Sequence, residues 1–433
     1  MRTQSRHSGA ASPARLAMAT VMVVLVAATA SRAFGEGDGA GGFWPQFHGP
    51  ALDNLSTEKG LLKQWPEGGP KLAWKLSDCG GGYSGVAIAD GRLYTVGDFA
   101  DKETLFALDL GGKLLWKADN GKSWKGAMAG CRTTPTFDHG LLYQMNPTGR
   151  LGAWQADSGK EVWSVDLKER FGVESGQWAL SENILIDGDM LFCTPGGAKG
   201  RIVALKKAGG ETLWANTEIK DAAAYCTPLL AAHNGRRQLI TVLQKSIVGV
   251  DAATGKLLWT VPHETAHDQN VTRPIYKDGR LFVSSGHGTG GRMFRIAPEG
   301  TSVTELWVNK DLDNCHPGIL LVEGCVYGSG CRLTGKGFVC VDWETGKTLW
   351  NEKGLGKISL TWAEGLLYGL SDEGKMSLLD ASRQGCRIVS QFAPPRTAEG
   401  LWLAHPVVCG GRLYLRHWND LFVYDIRAGA AAP

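Results

Sequence analysis

The sequence predicts an all-β protein: an eight-bladed β-propeller whose ring is closed by an N-terminal strand. Three observations predict this fold. A phrase of roughly 45 residues recurs along the chain, a tryptophan closes most copies, and the last copy lacks an end that a strand near the N-terminus can supply. The 433 residues include 59 glycines and 16 tryptophans, which suit many tight turns and many repeated apolar packing positions.

The recurring phrase ends in Asp-x-x-Thr-Gly-Lys-x-x-Trp. Its clearest copies are residues 249–259 (GVDAATGKLLW) and 340–350 (CVDWETGKTLW), followed by 153–163 (AWQADSGKEVW). The aspartate starts a turn, the glycine supplies a positive φ angle, and the tryptophan fills the wedge between neighbouring blades. The closing tryptophans are spaced 43 to 51 residues apart, one blade apiece: Trp116, Trp163, Trp214, Trp259, Trp307 and Trp350.

Second strands such as 92–94 (RLY), 280–282 (RLF) and 412–414 (RLY) mark the same copies independently, most of them after a Gly-containing hairpin turn. Eight units begin near Ser84, Thr134, Asn183, Thr227, Arg273, Pro317, Leu360 and Pro406. The seventh unit is degenerate, with Phe392 where a tryptophan is expected. The eighth stops at Ile426 before any closing tryptophan, and residues 71–75 (KLAWK), which contain Trp74, are predicted to complete it.

Four segments are predicted along the chain: a signal peptide at 1–35, an extended arm at 36–70, the propeller at 71–427 and a disordered tail at 428–433. The leader joins Arg2, Arg6 and Arg15 to an apolar stretch at 16–30, and an uncleaved membrane anchor is the alternative. No cysteine precedes Cys79, so a lipoprotein anchor is not expected. A periplasmic or secreted protein is predicted, without a membrane span once the leader is removed.

The charge of the chain argues against nucleic-acid and anionic-membrane partners. There are 46 basic and 43 acidic residues, and four of the basic residues lie in the predicted leader, so the remainder is close to neutral. The ten cysteines of an exported protein permit disulfides, but several of them (Cys193, Cys340 and Cys409) lie in apolar strand-like runs. Buried thiols and disulfides therefore both remain open, and no pairing is predicted.

The repeated phrase resembles the tryptophan-docking motif of propellers of the pyrroloquinoline-quinone (PQQ) type. With WPQFHGP, WPEGGPKLAWK, CTPGGAKG and SSGHGTGG, the chain is also similar to exported PQQ-repeat proteins of planctomycete-like bacteria. The superfamily includes quinoprotein alcohol dehydrogenases and the barrel-assembly lipoprotein of outer membranes, so the resemblance implies the fold and leaves the activity open. The adjacent cysteines that such dehydrogenases carry over the cofactor are missing, as is a Cys-x-x-Cys-His haem motif.

Loops that lead into the innermost strands of a propeller meet at one mouth of its central channel. The residues there are candidates for a ligand site: Tyr83, Arg132, Trp178, Glu182, Asn183, Tyr225, Asn270, Arg273, His316 and His405. A carboxylate with asparagines suits Ca²⁺, and paired arginines suit an anionic quinone. The alternative is a polar channel lining whose groups pair with one another and with water.

Two further motifs favour loops over sites. His263-Glu-Thr-Ala-His267 matches the zinc-protease pattern, but it falls between blades, just after Pro262, where a solvated loop is expected. Residues 286–291 (GHGTGG) resemble a phosphate-binding loop but lack the Gly-Lys-Ser/Thr that a P-loop needs. A hairpin loop is predicted there.

The sequence favours a non-catalytic binding or scaffold protein of the cell envelope, with an envelope protein or a small molecule as its partner. The competing hypothesis is a PQQ- and Ca²⁺-dependent alcohol or sugar dehydrogenase. In that case Glu182 and Asn183 would bind the metal, Arg132 or Arg273 the quinone, and Trp178 or Trp402 would stack on it.

Overall fold

A computed structural model describes residues 42–174, 176–331, 334–396 and 398–429. The predicted signal peptide and the end of the predicted tail lie outside the described residues. The described chain forms eight sheets, each built on four antiparallel strands, as the repeat predicts. No helix in this part of the chain is long and apolar enough to cross a membrane.

Each blade runs through four strands from the inside of the ring outward, and the blades are numbered here along the chain. Blade 1 comprises Ala87–Ala89, Arg92–Phe99, Lys102–Asp109 and Leu114–Lys122; blade 2 Thr136–Asp138, Leu141–Met145, Arg150–Gln155 and Glu161–Asp166; blade 3 Leu185–Asp187, Met190–Cys193, Ile202–Lys206 and Thr212–Asn216; blade 4 Leu229–His233, Arg236–Val242, Ser246–Asp251 and Leu257–Pro262.

The second half of the ring repeats this order. Blade 5 comprises Ile275–Lys277, Arg280–Ser285, Gly290–Ile296 and Val303–Asn309; blade 6 Ile319–Val322, Cys325–Ser329, Phe338–Asp342 and Thr348–Glu352; blade 7 Ile358–Ala363, Leu366–Ser371, Met376–Ser382 and Gly385–Phe392; blade 8 Val407–Cys409, Arg412–His417, Asp420–Asp425 and Lys71–Leu76. One short α-helix, Leu167–Phe171, and 3-10 turns at Ala266–Asp268 and Lys353–Leu355 lie between strands.

The hydrophobic core is divided into eight clusters, and each cluster lies between two neighbouring blades. Phe192 of blade 3, for example, packs with Val248 of blade 4. The ring closes because one cluster joins Leu421 of blade 8 to Leu93 of blade 1. A single blade therefore has no complete core of its own, and the blades stabilise one another.

The docking tryptophans explain why the turn phrase contains glycine. Trp116 of blade 1 donates from Nε1 to the carbonyl of Ala156 in blade 2, at 3.1 Å. A Cβ atom on Gly159 in that turn would lie 2.5 Å from the Trp116 ring. Trp163, Trp214 and Trp350 likewise donate to backbone carbonyls of the next blade. The turn glycine thus supplies both a positive φ angle and space for the preceding blade's indole.

Two docking tryptophans depart from this hydrogen-bonding pattern. Trp259 donates to Oε1 of Gln238 within its own blade, at 2.8 Å. Trp307 packs against Gly346 of the next blade, but its Nε1 has no hydrogen-bond partner among the described residues. The docking tryptophans therefore share the packing of the indole ring, but not the hydrogen bond from Nε1 to a backbone carbonyl of the next blade.

The N-terminal strand closes the ring as predicted. Lys71–Leu76 pairs antiparallel with Asp420–Asp425, the third strand of blade 8, and places Trp74 opposite Val423. Trp74 then packs with residues of blades 8 and 1, beside the partly buried Leu110. Blade 8 is thus made from both ends of the described chain.

The prediction for Phe392 in blade 7 is wrong in register. The residue that pairs as a docking tryptophan does is Ser390, opposite Leu378, and Phe392 lies two residues further along the strand. The indole comes instead from the predicted arm: Trp65 is buried and packs edge-on against Phe392, with ring centroids 5.1 Å apart. The arm thereby fills the wedge between blades 7 and 8.

The arm also adds a strand to blade 7. Leu55–Ser56 pairs in parallel with the innermost strand, Ile358–Ala363, and makes blade 7 five-stranded. At its other end, Trp44 forms an isolated bridge with Ile88, on the innermost strand of blade 1. The arm therefore passes along the inner strands and holds aromatic side chains near the channel mouth.

Candidate functional site

A cavity of about 380 Å³ lies at the mouth of the channel. It is formed by loops before the innermost strands and by the arm. Eight of the ten predicted site residues line it: Tyr83, Arg132, Trp178, Asn183, Tyr225, Arg273, His316 and His405. Its volume falls in the range of small-molecule sites.

Glu182 was predicted to line this site, but it does not. Its carboxylate is buried, and Oε1 accepts a hydrogen bond from the backbone N–H of Thr194. Within the described part of the chain Oε2 has no hydrogen-bond partner, and burial raises the pKa of Glu182 to about 8. Adjacent residues of an extended segment point to opposite sides, so Asn183 lines the cavity while Glu182 lies behind it.

Asn270 is also absent from the cavity wall. Its Nδ2 donates to the carbonyl of Leu243 at 2.7 Å, and its Oδ1 accepts from the hydroxyl of Ser285. The side chain is buried and ties blade 4 to blade 5. Its role in the structure is therefore to satisfy buried polar groups rather than to face a ligand.

The two arginines make the cavity electropositive. Arg132 donates to the backbone carbonyls of Ala127 and Met128, and Arg273 donates to that of Leu52 in the arm at 3.0 Å. Burial lowers the pKa of Arg273 to about 10 and also lowers that of Arg132. Both guanidinium groups stay charged at neutral pH, and no carboxylate is among the described residues that line the cavity.

Two hydrogen-bond donors at the cavity have no partner in the described structure. They are Nε of Arg132 and Nε1 of Trp178, and both atoms are buried. A buried donor without an acceptor costs roughly 1–3 kcal/mol. Together with the positive charge, these donors favour a ligand that carries acceptor oxygens.

The arm supplies cavity residues that the sequence analysis missed: Trp44, Phe47, His48 and Asn54. Nε2 of His48 lies 2.8 Å from Nδ1 of His405, whose Nε2 lies 3.0 Å from the carbonyl oxygen of His316. That carbonyl accepts a hydrogen bond from Nε2–H of His405, so Nδ1 of His405 is unprotonated and accepts a hydrogen bond from Nε2–H of His48. This segment contains the motif WPQFHGP, residues 44–50. The motif occurs only once in the sequence, so comparison with the repeats could not place its residues at the cavity.

Both of these histidines are neutral. Burial lowers the pKa of His405 to about 4. The pKa of His48 is lowered well below its usual value by burial first, and then by repulsion from a protonated His405 and from Arg273. The pair is therefore a fixed hydrogen-bonded wall rather than a source of charge.

The residues present do not fit a bound Ca²⁺ ion. Calcium takes six to eight oxygen ligands, usually with carboxylates among them. Asn183 Oδ1 already accepts from the backbone N–H of Thr134, at 2.8 Å. Glu182, the predicted second ligand for calcium, lies behind the cavity wall.

Trp402, which was predicted as one of two tryptophans that could stack on the quinone, does not line the cavity. Its ring is buried and stacks on His417, with ring centroids 4.3 Å apart.

The zinc-protease pattern does not form a site. His263 is buried, with Nε2 2.9 Å from the hydroxyl of Ser285, so the expectation of a solvated loop is wrong for this residue. His267 is exposed in the 3-10 turn Ala266–Asp268 and has a positive φ angle. In the glycine-rich run, residues 286–289 form a hairpin loop between two strands of blade 5, as predicted, and Gly290 and Gly291 begin the second of these strands.

The fold and the cavity define a propeller of the PQQ type. A family model described as "Outer membrane protein assembly factor BamB" (PQQ_2) matches residues 101–352, which is more than half of the chain. The chain therefore belongs to this family.

Individual relatives include both assembly factors and dehydrogenases. BamB of Bordetella pertussis is 26% identical over 300 residues, which cover 68% of this chain and 70% of that protein. Quinohemoprotein alcohol dehydrogenase ADH IIB of Pseudomonas putida is 23% identical over 246 residues, 51% of this chain and 33% of the relative. The match to BamB of Nitrosomonas eutropha is 26% identical over 183 residues and covers 41% of this chain and 37% of that protein. The chain thus spans about a third of the length of the Pseudomonas putida dehydrogenase and of the Nitrosomonas eutropha BamB.

Solved structures agree on the fold. BamB from Moraxella catarrhalis aligns with a TM-score of 0.58 at 17% identity, covering 82% of this chain and 99% of that one. Quinohemoprotein alcohol dehydrogenase from Comamonas testosteroni aligns with a TM-score of 0.65 at 14% identity, covering 90% and 82%. At these identities the likeness concerns the fold alone.

Proposed function

We propose that this protein is an exported, non-catalytic binding protein of the cell envelope, which uses the mouth cavity to hold part of a partner. The observation that carries the proposal is the cavity's set of donors and charges. Arg132 and Arg273 face it without a lining carboxylate, and Trp178 offers a buried donor without a partner.

The ligand that fits is an anionic or carbonyl-rich segment. Arg132 donates hydrogen bonds to the backbone carbonyls of residues 127 and 128. Its Nε–H has no acceptor among the described residues and can donate to a ligand. Tyr83 and Tyr225 add flat aromatic surface beside it. A protein segment with a carboxylate side chain, or with a free C-terminus, supplies both the charge and the oxygens.

The family points to the kind of partner. The relatives are named as outer membrane protein assembly factors, and a scaffold of this type would bind other proteins of the envelope. The predicted leader is consistent with export to that compartment.

The alternative is a PQQ- and Ca²⁺-dependent alcohol or sugar dehydrogenase, favoured by the relatives that are quinohemoprotein dehydrogenases. The arginines and aromatic rings of the cavity suit an anionic quinone. No carboxylate is among the described residues that line the cavity, and this weighs against that function, because calcium sites usually include carboxylate ligands.

Site-specific photo-crosslinking in cells that make the protein tests the proposal. A photoreactive residue at Met128, on the cavity rim and 38% exposed, should capture one envelope protein reproducibly. The matched control is Leu213, which is 49% exposed on the outer strand of blade 3, away from the cavity wall. Equal capture from both positions, or none from Met128, would contradict binding at the mouth.

A further inference from the structure

Three side chains outside the mouth cavity meet between blades 5 and 6. A ring nitrogen of His287 and the Sγ atoms of Cys315 and Cys331 all lie within 4.8 Å of one another. His287 comes from the hairpin loop of blade 5, Cys315 from the connection to blade 6, and Cys331 from just after the second strand of blade 6. Residues distant in sequence are thus gathered into one ligand set.

We propose that His287, Cys315 and Cys331 form a binding site for Zn²⁺. Two thiolates and one imidazole are a donor set that zinc uses, with a fourth position left for water or another ligand. In a tetrahedral zinc site such donor atoms are about 3.5–3.8 Å apart. The 3.9 Å between His287 Nδ1 and Cys331 Sγ is close to this separation.

A neighbour sets the tautomer of the histidine. Nε2 of His287 lies 2.9 Å from Oε1 of Gln269. Because an amide oxygen only accepts, the ring proton belongs on Nε2. The lone pair is then on Nδ1, which lies 3.9 Å from Sγ of Cys331. Metal-binding histidines are generally oriented in this way by an acceptor on their second nitrogen.

Asp313 holds the two loops of the cluster together. Its carboxylate is fully buried; Oδ1 accepts from the backbone N–H of Cys331 at 2.9 Å and Oδ2 from that of Gly288 at 3.0 Å. The loop of His287 and the segment of Cys331 are therefore fixed relative to one another before any ion binds.

A glycine makes room for the third ligand. A Cβ atom on Gly286 would lie 2.2 Å from Sγ of Cys315, so a larger residue would push that sulfur away. The site also lies next to the mouth cavity, because Gln269 lines the cavity wall. The inference does not depend on what the cavity binds.

Zinc binding by the reduced, full-length protein tests this assignment. After treatment with a chelator and addition of Zn²⁺, one zinc per chain should survive gel filtration. Cys315→Ser, Cys331→Ser and His287→Gln should each weaken zinc binding by more than tenfold, and Gln269→Leu by about tenfold. Cys386→Ser, at a half-buried cysteine on the outer strand of blade 7, should bind zinc like the parent.

A second measurement separates lost ligands from misfolding. With Co²⁺ in place of zinc, the thiolate-to-metal absorption should fall when either Cys315 or Cys331 is replaced, while the metal-free variants unfold at the parent's temperature. No zinc retained by the reduced parent, or undiminished binding in the three ligand variants, would overturn the assignment. So would a Cys315–Cys331 disulfide in protein isolated from its own compartment.

Discussion

Nε1 of Trp74 donates a hydrogen bond of 3.0 Å to the backbone carbonyl of Leu110. Trp74 belongs to the strand that completes blade 8, whereas Leu110 follows the third strand of blade 1. This contact repeats at the seam the geometry that Trp116 makes with Ala156 inside the ring. The seam is thus closed by the same interaction that joins successive blades.

Loss of this indole should open the seam. Trp74→Ala removes a half-buried ring and its hydrogen bond, and we expect it to lower the free energy of unfolding by about 3 kcal/mol. Leu72→Ala, on the same strand but 42% exposed, should change it by less than about 1 kcal/mol. Chemical denaturation followed by far-UV circular dichroism, rather than by tryptophan fluorescence, measures the free energy of unfolding of both variants. Similar losses of unfolding free energy in the two variants would contradict the role of the Trp74 indole in closing the ring.

The turn glycines provide a sharper comparison. Gly159 and Gly140 both have positive φ angles, but a Cβ atom on Gly159 would clash with Trp116, whereas one on Gly140 would meet nothing within 4 Å. Gly140→Ala should therefore cost only the backbone strain, about 1–2 kcal/mol. Gly159→Ala should cost about 1–3 kcal/mol more, because the indole must move. Thermal unfolding of the pair decides whether the glycine is needed for packing or only for its φ angle.

The repeat made most of the ring predictable. A tryptophan that recurs with a Thr-Gly-Lys turn predicts a strand, a turn and a contact between blades together. Trp74 could be located because residues 71–75 resemble the outer strand that the eighth unit lacks. Trp65 could not be found in this way, because it lies in the arm, where no second copy gives its position meaning. The sequence also could not show that Ser390 takes the docking register, since that depends on how the strands pair.

The mouth cavity was partly predictable for a similar reason. Loop residues before inner strands converge by the symmetry of the ring, so Arg132, Arg273 and His405 were found. Glu182 shows the limit, because a shift of one residue in an extended segment moves a side chain from the cavity to the interior. The contribution of His48 depends on the path of the arm, which only tertiary structure reveals.

The arm should be anchored by Asn54. Its buried Nδ2 donates to the backbone carbonyl of Leu360 at 2.6 Å. Asn54→Ala leaves that carbonyl without its donor, and we expect a loss of about 1–3 kcal/mol and faster proteolysis of the arm. Lys59→Ala, at an exposed position on the same segment, is the control. Equal rates of proteolysis in the two variants and the parent would mean that contacts other than the Asn54 hydrogen bond anchor the arm.

A buried carboxyl group in blade 1 should make stability depend on pH. Burial, with the charge of Asp98, raises the pKa of Glu103 to about 8. In the unfolded chain this carboxyl ionises near pH 4.5, so between about pH 4.5 and 8 only the unfolded state gives up the proton. The contribution of Glu103 is therefore fully present at low pH and is lost as the pH rises through about 8.

Replacing this carboxyl group isolates its effect. Glu103→Gln keeps the acceptor that takes hydrogen bonds from Asn120 and Gln144. The variant should lose less stability than the parent between pH 5 and pH 8, as measured by urea denaturation at each pH. Glu211→Gln, at an exposed turn of blade 3, should follow the parent. A parallel decline in all three proteins would exclude Glu103 as the cause.

Titration of the purified protein with PQQ, with and without Ca²⁺, together with dye-linked oxidation of alcohols and sugars, tests the proposed function most directly. A non-catalytic protein whose described cavity wall offers no carboxylate to calcium should show no effect of Ca²⁺ on PQQ binding and no turnover of any substrate. Calcium-dependent binding of PQQ accompanied by turnover would contradict the proposal and establish a dehydrogenase instead.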